Sequence, residues 1–294
     1  MDLISLPTLA QLSNSISLVQ VDALEIIRVQ HPKASAAVAL HGGHLISFRP
    51  TGQEEVIWMS KQTPFDGKAA LRGGIPICWP WFGRIGEPSH GFARQSLWKL
   101  DEQHEHEHGV TLVLSLKSTQ QTHAIWPHSF ALRLRFEIGE QLHVALEATN
   151  TDQRPFTFSG ALHSYFNIQD IYTAHLTGMG NRYLDKLQQG KACQGDAILQ
   201  LTGAIDRIYT APEVQIHIND GTRLITVENQ GHNSAVLWNP WEEGAAALND
   251  MQDDGYRTMI CVESTIHADS LEQGVTLQPN QSWQLSTRIS THSL

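Results

Sequence analysis

The sequence predicts an all-β protein built as a large antiparallel sandwich, and three observations carry that prediction. The dominant hydrophobic period is two, runs with that period recur along the whole chain, and turn-forming residues bound each of them. Val110, Leu112, Leu114 and Leu116 alternate with Thr111, Val113, Ser115 and Lys117, and Leu132, Leu134, Phe136 and Ile138 alternate with Arg133, Arg135 and Glu137. Successive side chains of a strand point to opposite faces, so such runs read as half-buried strands. The alternation returns in Leu142, Val144 and Leu146, in Val214, Ile216 and Ile218, and in Trp283 and Leu285, each run flanked by Gly, Pro, Asn or Asp. Helical periodicity is confined to Leu9–Leu18 and to the residues after Thr265, and no strand–helix alternation signals a parallel sheet.

The chain has 294 residues, of which 41% are hydrophobic and only 17% charged, a balance that supports a sizeable core and excludes a disordered or fibrous chain. No Gly/Ser linker, internal repeat or composition shift divides it, so residues 1–294 are read as one domain. A net charge of −10 without any Lys/Arg cluster argues against nucleic-acid and anionic-membrane partners, which need concentrated positive charge. Cys78, Cys193 and Cys261 are few, odd in number and free of CxxC spacing, and are read as free thiols in a reducing compartment. Met1–Gln20 lacks a basic start and an unbroken apolar stretch, so neither a signal peptide nor a membrane span is expected, and a cytoplasmic monomer is. His104-Glu105-His106-Glu107-His108 leads into Gly109 and reads as an exposed hairpin end in preference to a metal site.

Four segments break the alternation and concentrate chemically capable residues. In Arg72-Gly73-Gly74-Ile75-Pro76-Ile77-Cys78-Trp79-Pro80-Trp81-Phe82-Gly83, glycines permit close backbone approach and prolines stiffen a loop carrying Trp79 and Trp81. Those rings suit either an aromatic wall facing a sugar or a buried cluster, and the Arg72 guanidinium suits an anion. In His90-Gly91-Phe92-Ala93-Arg94, an imidazole and a second guanidinium four positions apart would share one face if the segment were a strand. His163 stands among the apolar and aromatic residues of Ala161–Asn167, where burial would hold its pKa in the range useful to a general acid or base. Glu263 reads as the end of the apolar strand Met259–Glu263, where an unpaired charge would be costly. Signatures of nucleophile elbows, dinucleotide folds, P-loops and zincins are absent from the sequence, which leaves general acid–base chemistry.

These segments, together with Asp206-Arg207-Ile208-Tyr209 and Trp238-Asn239-Pro240, resemble in content and order the glucose-6-phosphate 1-epimerase branch of the galactose mutarotase-like superfamily. The likeness runs from residue 72 to residue 263 in its motifs and through the flanking strands across nearly the whole chain. It implies a β-supersandwich and a cofactor-free isomerase that interconverts the α and β anomers of a hexose 6-phosphate. By the same resemblance His163 protonates the ring oxygen, Glu263 takes the proton of the anomeric hydroxyl, and Asp206 binds sugar hydroxyls. Arg72 and Arg94 match substrate-binding arginines that would hold the phosphate; His90 matches a position beside the sugar, and Ser89 stands where relatives vary. Arg84, in the variable loop Arg84–Pro88, would add a further cation or cover the site. Asn280 replaces a commoner turn glycine, a change that its tolerance of positive φ permits. A mutarotase of unphosphorylated aldoses and a non-catalytic sugar-binding sandwich are the alternatives.

Overall fold

The computed structural model describes residues 3 and 5–294; Met1, Asp2 and Ile4, part of the stretch read above as lacking a leader, lie outside the described residues. Strands dominate, and they gather into antiparallel sheets of five, nine and eight strands with a small two-stranded ribbon. The five-stranded sheet is a meander of consecutive strands from Thr8–Gln11 to His44–Pro50. The nine-stranded sheet holds the strongly alternating runs, including Gly109–Lys117, Phe130–Gly139, Leu142–Asn150 and Ser282–Ser293. In Phe130–Gly139 the period of two becomes a burial pattern: Leu132, Leu134, Phe136 and Ile138 are buried while Arg133 is exposed. One apolar cluster joins these layers from Ile16 to Ile289.

The helical candidates resolve differently. Leu9–Leu18 spans the strands Thr8–Gln11 and Ile16–Val21, because Ser13, Asn14 and Ser15 turn the chain and the second strand then pairs with Leu24–His31. After Thr265 the strand ends at Ile266, and a single 3₁₀ turn follows at Leu271–Gln273. Two short helices, Gln120–Ile125 and Trp241–Ala246, were not readable because six residues carry too little period to register. The first is recognisable in hindsight by its start, where Thr119 and Thr122 cap each other reciprocally. No helix among the described residues is long and apolar enough to cross a membrane. The histidine run closes the hairpin between Lys99–His106 and Gly109–Lys117, with His104 and His106 exposed. All three cysteines are free.

Trp79 and Trp81 are buried in the core, which settles the two readings of the aromatic loop. The Trp79 ring packs against Phe92, Trp126, Phe130 and Phe158 with centroids 4.5–6.2 Å apart. The loop is therefore a plug between layers, and the residues it carries at its ends, Arg72 and Phe82, reach the site.

The eight-stranded sheet positions that site. Its strand Met259–Ile266 is buried along its full length. Ser264 Oγ donates to the Ser286 carbonyl of the nine-stranded sheet at 3.4 Å, so even-numbered side chains face the sheet interface. The odd-numbered ones, Cys261 and Glu263, face the other way.

Candidate active site

Register across the eight-stranded sheet assembles the site. Met259–Ile266 pairs with Ser234–Asn239, placing Val236 opposite Glu263 and Trp238 opposite Cys261. Ser234–Asn239 pairs in turn with Ile205–Tyr209, placing Asp206 opposite Trp238 and Ile208 opposite Val236. On the other side, Leu162 faces Ser264 and Tyr165 faces Cys261. The same register carried through residues 163 and 164, where the strand lapses, leaves His163 directly opposite Glu263. Glu263 thus lies within its strand and not at its end, because pairing continues to Ile266.

These side chains floor a cavity of about 420 Å³. His163, Tyr165, Asp206, Trp238 and Glu263 come from the sheet; Arg72, Phe82, Arg84 and His90 come from the preceding loops, and Lys186 and Asp269 from turns on the far rim. A larger cavity of about 590 Å³ opens elsewhere, around Glu55 and Arg257, and none of the candidate catalytic or substrate-binding residues lines it.

His163 Nε2 lies 3.3 Å from Glu263 Oε1. His163 Nδ1 and Glu263 Oε2 are buried without a hydrogen-bond partner among the described residues. The imidazole is fixed by a bond from its own backbone N–H to the Pro76 carbonyl, 3.1 Å, and by stacking on Tyr165 at 4.9 Å and 10°. Burial drives the Glu263 pKa well above the carboxylate range, and the Asp206 carboxylate adds to the shift. Burial also drives the His163 pKa well below the usual imidazole value, helped by His90, Arg94 and Arg72. Both directions favour a neutral pair in which one proton is shared across the 3.3 Å contact. Asp206 is itself raised, again mainly by burial.

Arg72 is held from two sides. Its Nε donates to Asp250 Oδ1 and its NH1 to the Tyr165 hydroxyl, both at 3.1 Å. The segment behind it requires glycine: Gly74 has φ +71, and a Cβ there would run into His44 Nε2 and the Leu45 carbonyl oxygen. His44 in turn donates from Nε2 to the Gly73 carbonyl at 2.7 Å.

His90 adopts φ +64 in a turn, with Ala93–Gln95 forming a short 3₁₀ helix after it. The strand geometry under which His90 and Arg94 would share a face is therefore absent, and the turn brings the two residues close instead. Gly83 and His90 close the intervening loop on itself: His90 N–H donates to the Gly83 carbonyl at 2.7 Å, and Gly83 N–H donates to His90 Nδ1 at 3.3 Å. That second bond leaves the ring proton on Nε2 in the neutral form. Burial, with the nearby arginines, lowers the His90 pKa to about 3, so the ring stays neutral.

Arg94 does not line the cavity. Its NH2 donates to the Ser89 carbonyl at 2.8 Å, behind the loop, and its buried Nε has no partner among the described residues. Ser89 Oγ donates to the Gly83 carbonyl at 3.3 Å and also stays off the cavity wall. Two cations line the cavity in the open: Arg84, on the loop that Ser89 and Arg94 brace, and Lys186, which follows the helix-capping Asp185. Neither forms an ion pair with a described acidic residue. Lys186 had no motif to mark it, and Tyr165 and Trp238, though they stood inside motifs of the resemblance, carried no assigned role.

Comparison with known proteins places the chain in a family. A family model described as aldose 1-epimerase matches residues 25–290. A Salmonella typhimurium protein named "Putative glucose-6-phosphate 1-epimerase" is 42% identical over 283 residues, covering 94% of this chain and 95% of the relative. The crystal structure of a Salmonella typhimurium protein described as a "putative mutarotase" superposes with a TM-score of 0.92 at 39% identity, covering 98% of this chain and 97% of that one. A galactose mutarotase related enzyme of Lactobacillus acidophilus shares the fold, with a TM-score of 0.72 at 14% identity over 91% of this chain and 97% of its own. The chain belongs to the aldose 1-epimerase family, an isomerase on the galactose mutarotase-like β-sandwich.

Proposed function

We propose that this epimerase interconverts the α and β anomers of a hexose 6-phosphate, with His163 and Glu263 moving the protons. The observation that carries the reading is the 3.3 Å contact between two buried titratable groups on the floor of a cavity lined by aromatic rings and unpaired cations. Opening a cyclic sugar breaks the C1–O5 bond while one proton leaves the O1 hydroxyl and one arrives at O5. Reclosure on the other face of C1, after rotation about C1–C2, reverses both transfers. A pair that holds one proton between two heteroatoms meets this demand, since one member donates as the other accepts.

Burial keeps the resting proton on Glu263 and leaves His163 neutral. Passage of that proton to His163, with the sugar bound, makes His163 the donor to O5 and Glu263 the base at O1. His90 Nε2 and the Asp206 carboxylate offer a donor and an acceptor to sugar hydroxyls, and Trp238 and Phe82 offer apolar faces to the ring. For the phosphate, Arg84 and Lys186 are the cations without a described acidic partner. Arg72 already shares its charge with Asp250, and Arg94 supports the loop from behind.

The test is anomer exchange measured by NMR magnetisation transfer on glucose 6-phosphate and, separately, on glucose at equal concentration. Acceleration of the phosphorylated sugar above the free one is expected. Equal acceleration of both would move the substrate to unphosphorylated aldoses, and acceleration of neither by folded protein would leave a sugar-binding role.

A further inference from the structure

We infer that His163, Cys261 and Glu263 form a binding site for a borderline-soft divalent cation, with Zn²⁺ its expected occupant, and that occupancy shuts the cavity's proton-transfer pair off. The binding stands on the donor geometry alone; the inhibition rests on the proposed roles of His163 and Glu263.

A thiol, an imidazole nitrogen and a carboxylate oxygen from these residues all lie within 4.8 Å of one another, the one such group of three among the described residues. The strand architecture produces the convergence. Cys261 and Glu263 share a face two positions apart, and His163 stands opposite Glu263 on the neighbouring chain segment. Thiolate, imidazole and carboxylate are the donor types zinc selects, at about 2.0–2.3 Å each, so small side-chain rotations suffice to close three of them on one ion.

Two further features point to a ligand. Glu263 Oε2 is buried and without a partner among the described residues. Cys261 is fully buried, and the proposed proton transfers give it no role. The Asp206 carboxylate, which acts electrostatically on both Cys261 and Glu263, favours a cation there; Arg72, acting on Cys261 and His163, and Arg94, acting on His163, oppose it. Binding displaces the thiol proton and the proton shared by His163 and Glu263, and both pass to solvent through the cavity. His163 and Glu263 line that cavity, so the ion enters by the route of the sugar and keeps its fourth position toward it.

The test titrates the metal-free, full-length protein with Co²⁺, a chromophoric stand-in for zinc. One equivalent is expected to bind with a thiolate-to-cobalt charge-transfer band in the near ultraviolet, which excess Zn²⁺ removes. Cys261→Ser and Cys261→Ala are expected to lose the band, and Cys193→Ser, at a half-exposed position on an edge strand, to keep it. Zinc is expected to inhibit anomer exchange in competition with the sugar, and the inhibiting concentration to rise at least about 100-fold in the Cys261 variants, more than loss of an outer contact produces. Absence of the band from the unsubstituted protein, or its persistence in both Cys261 variants, would overturn the site. A band that behaves as expected in a protein that catalyses no exchange would instead overturn the proposed function and leave the metal site standing.

Discussion

His163 and Glu263 face each other across adjacent antiparallel segments, Nε2 to Oε1 at 3.3 Å, and burial pushes their pKa values in opposite directions toward a neutral pair. The cost of that arrangement falls on the fold, since a carboxylate that resists ionisation opposes folding at any pH where the unfolded chain would ionise it.

The sign of the stability effect follows from linkage. With a raised folded pKa, Glu263 binds a proton in the folded protein that the unfolded chain releases above its ordinary value of 4.5. Stability contributed by this group is therefore present below 4.5 and is lost as pH rises through the folded pKa. Glu263→Gln cannot ionise, so the variant is expected to melt at a higher temperature than the unsubstituted protein at about pH 8, with the gap closing toward pH 4.5. Thermal unfolding across that range measures it; a gap that widens toward acid would contradict the assigned direction.

The pH profile of turnover is expected to be flat through 6.5, where an ordinary histidine titrates, because the His163 pKa lies well below that value. An unperturbed His163 would instead bend the profile there, with a slope of about tenfold per pH unit on the acid side. Turnover at saturating sugar should be followed on a phosphorylated and an unphosphorylated hexose, since a phosphate ester titrates near about 6 on its own account.

Arg84→Ala and Lys186→Ala are each expected to lower the preference for hexose 6-phosphate over free hexose by roughly 10- to 100-fold in kcat/KM, the range for one lost hydrogen bond to a charged group. Arg72→Ala should reduce both substrates together, because Arg72 also supports the Tyr165 ring that stacks on His163. An unchanged preference in both the Arg84 and Lys186 variants would remove the phosphate from that rim.

Gly74→Ala is expected to destabilise the protein by about 1–3 kcal/mol, the usual cost of forcing volume into a packed site. The added carbon would meet His44 and the Leu45 carbonyl at a φ of +71. Chemical denaturation measures the loss; an unaltered midpoint would show that the segment behind Arg72 relaxes freely.

What the sequence discloses is governed by whether the cause is local. Alternation in Phe130–Gly139 is a local consequence of one buried face, and it reads directly as a strand. Asn280, at φ +65, likewise follows from its own side chain. His163 and Glu263 stood out because ionisable groups inside apolar runs need a reason to be there. Their contact, however, depends on a register shared by segments 100 positions apart, which no local pattern encodes. Arg94 would share a face with His90 only on a strand, and the turn at His90 instead leaves its guanidinium on the Ser89 carbonyl. Trp79 and Trp81 attracted attention as large rings, but the core took them, and Tyr165 and Trp238 line the cavity because register places them there. Lys186 became visible only when the fold carried its turn to the cavity rim.

The most direct test of the central claim is anomer exchange of glucose 6-phosphate by NMR magnetisation transfer with the unsubstituted protein, His163→Asn and Glu263→Gln at equal concentration. The unsubstituted protein is expected to accelerate exchange, and each variant, folded, to lose roughly 10²- to 10⁴-fold of that acceleration, as removal of a general acid or base does. Full acceleration retained by either variant would contradict a proton-transfer role for that residue and with it the shared-proton mechanism.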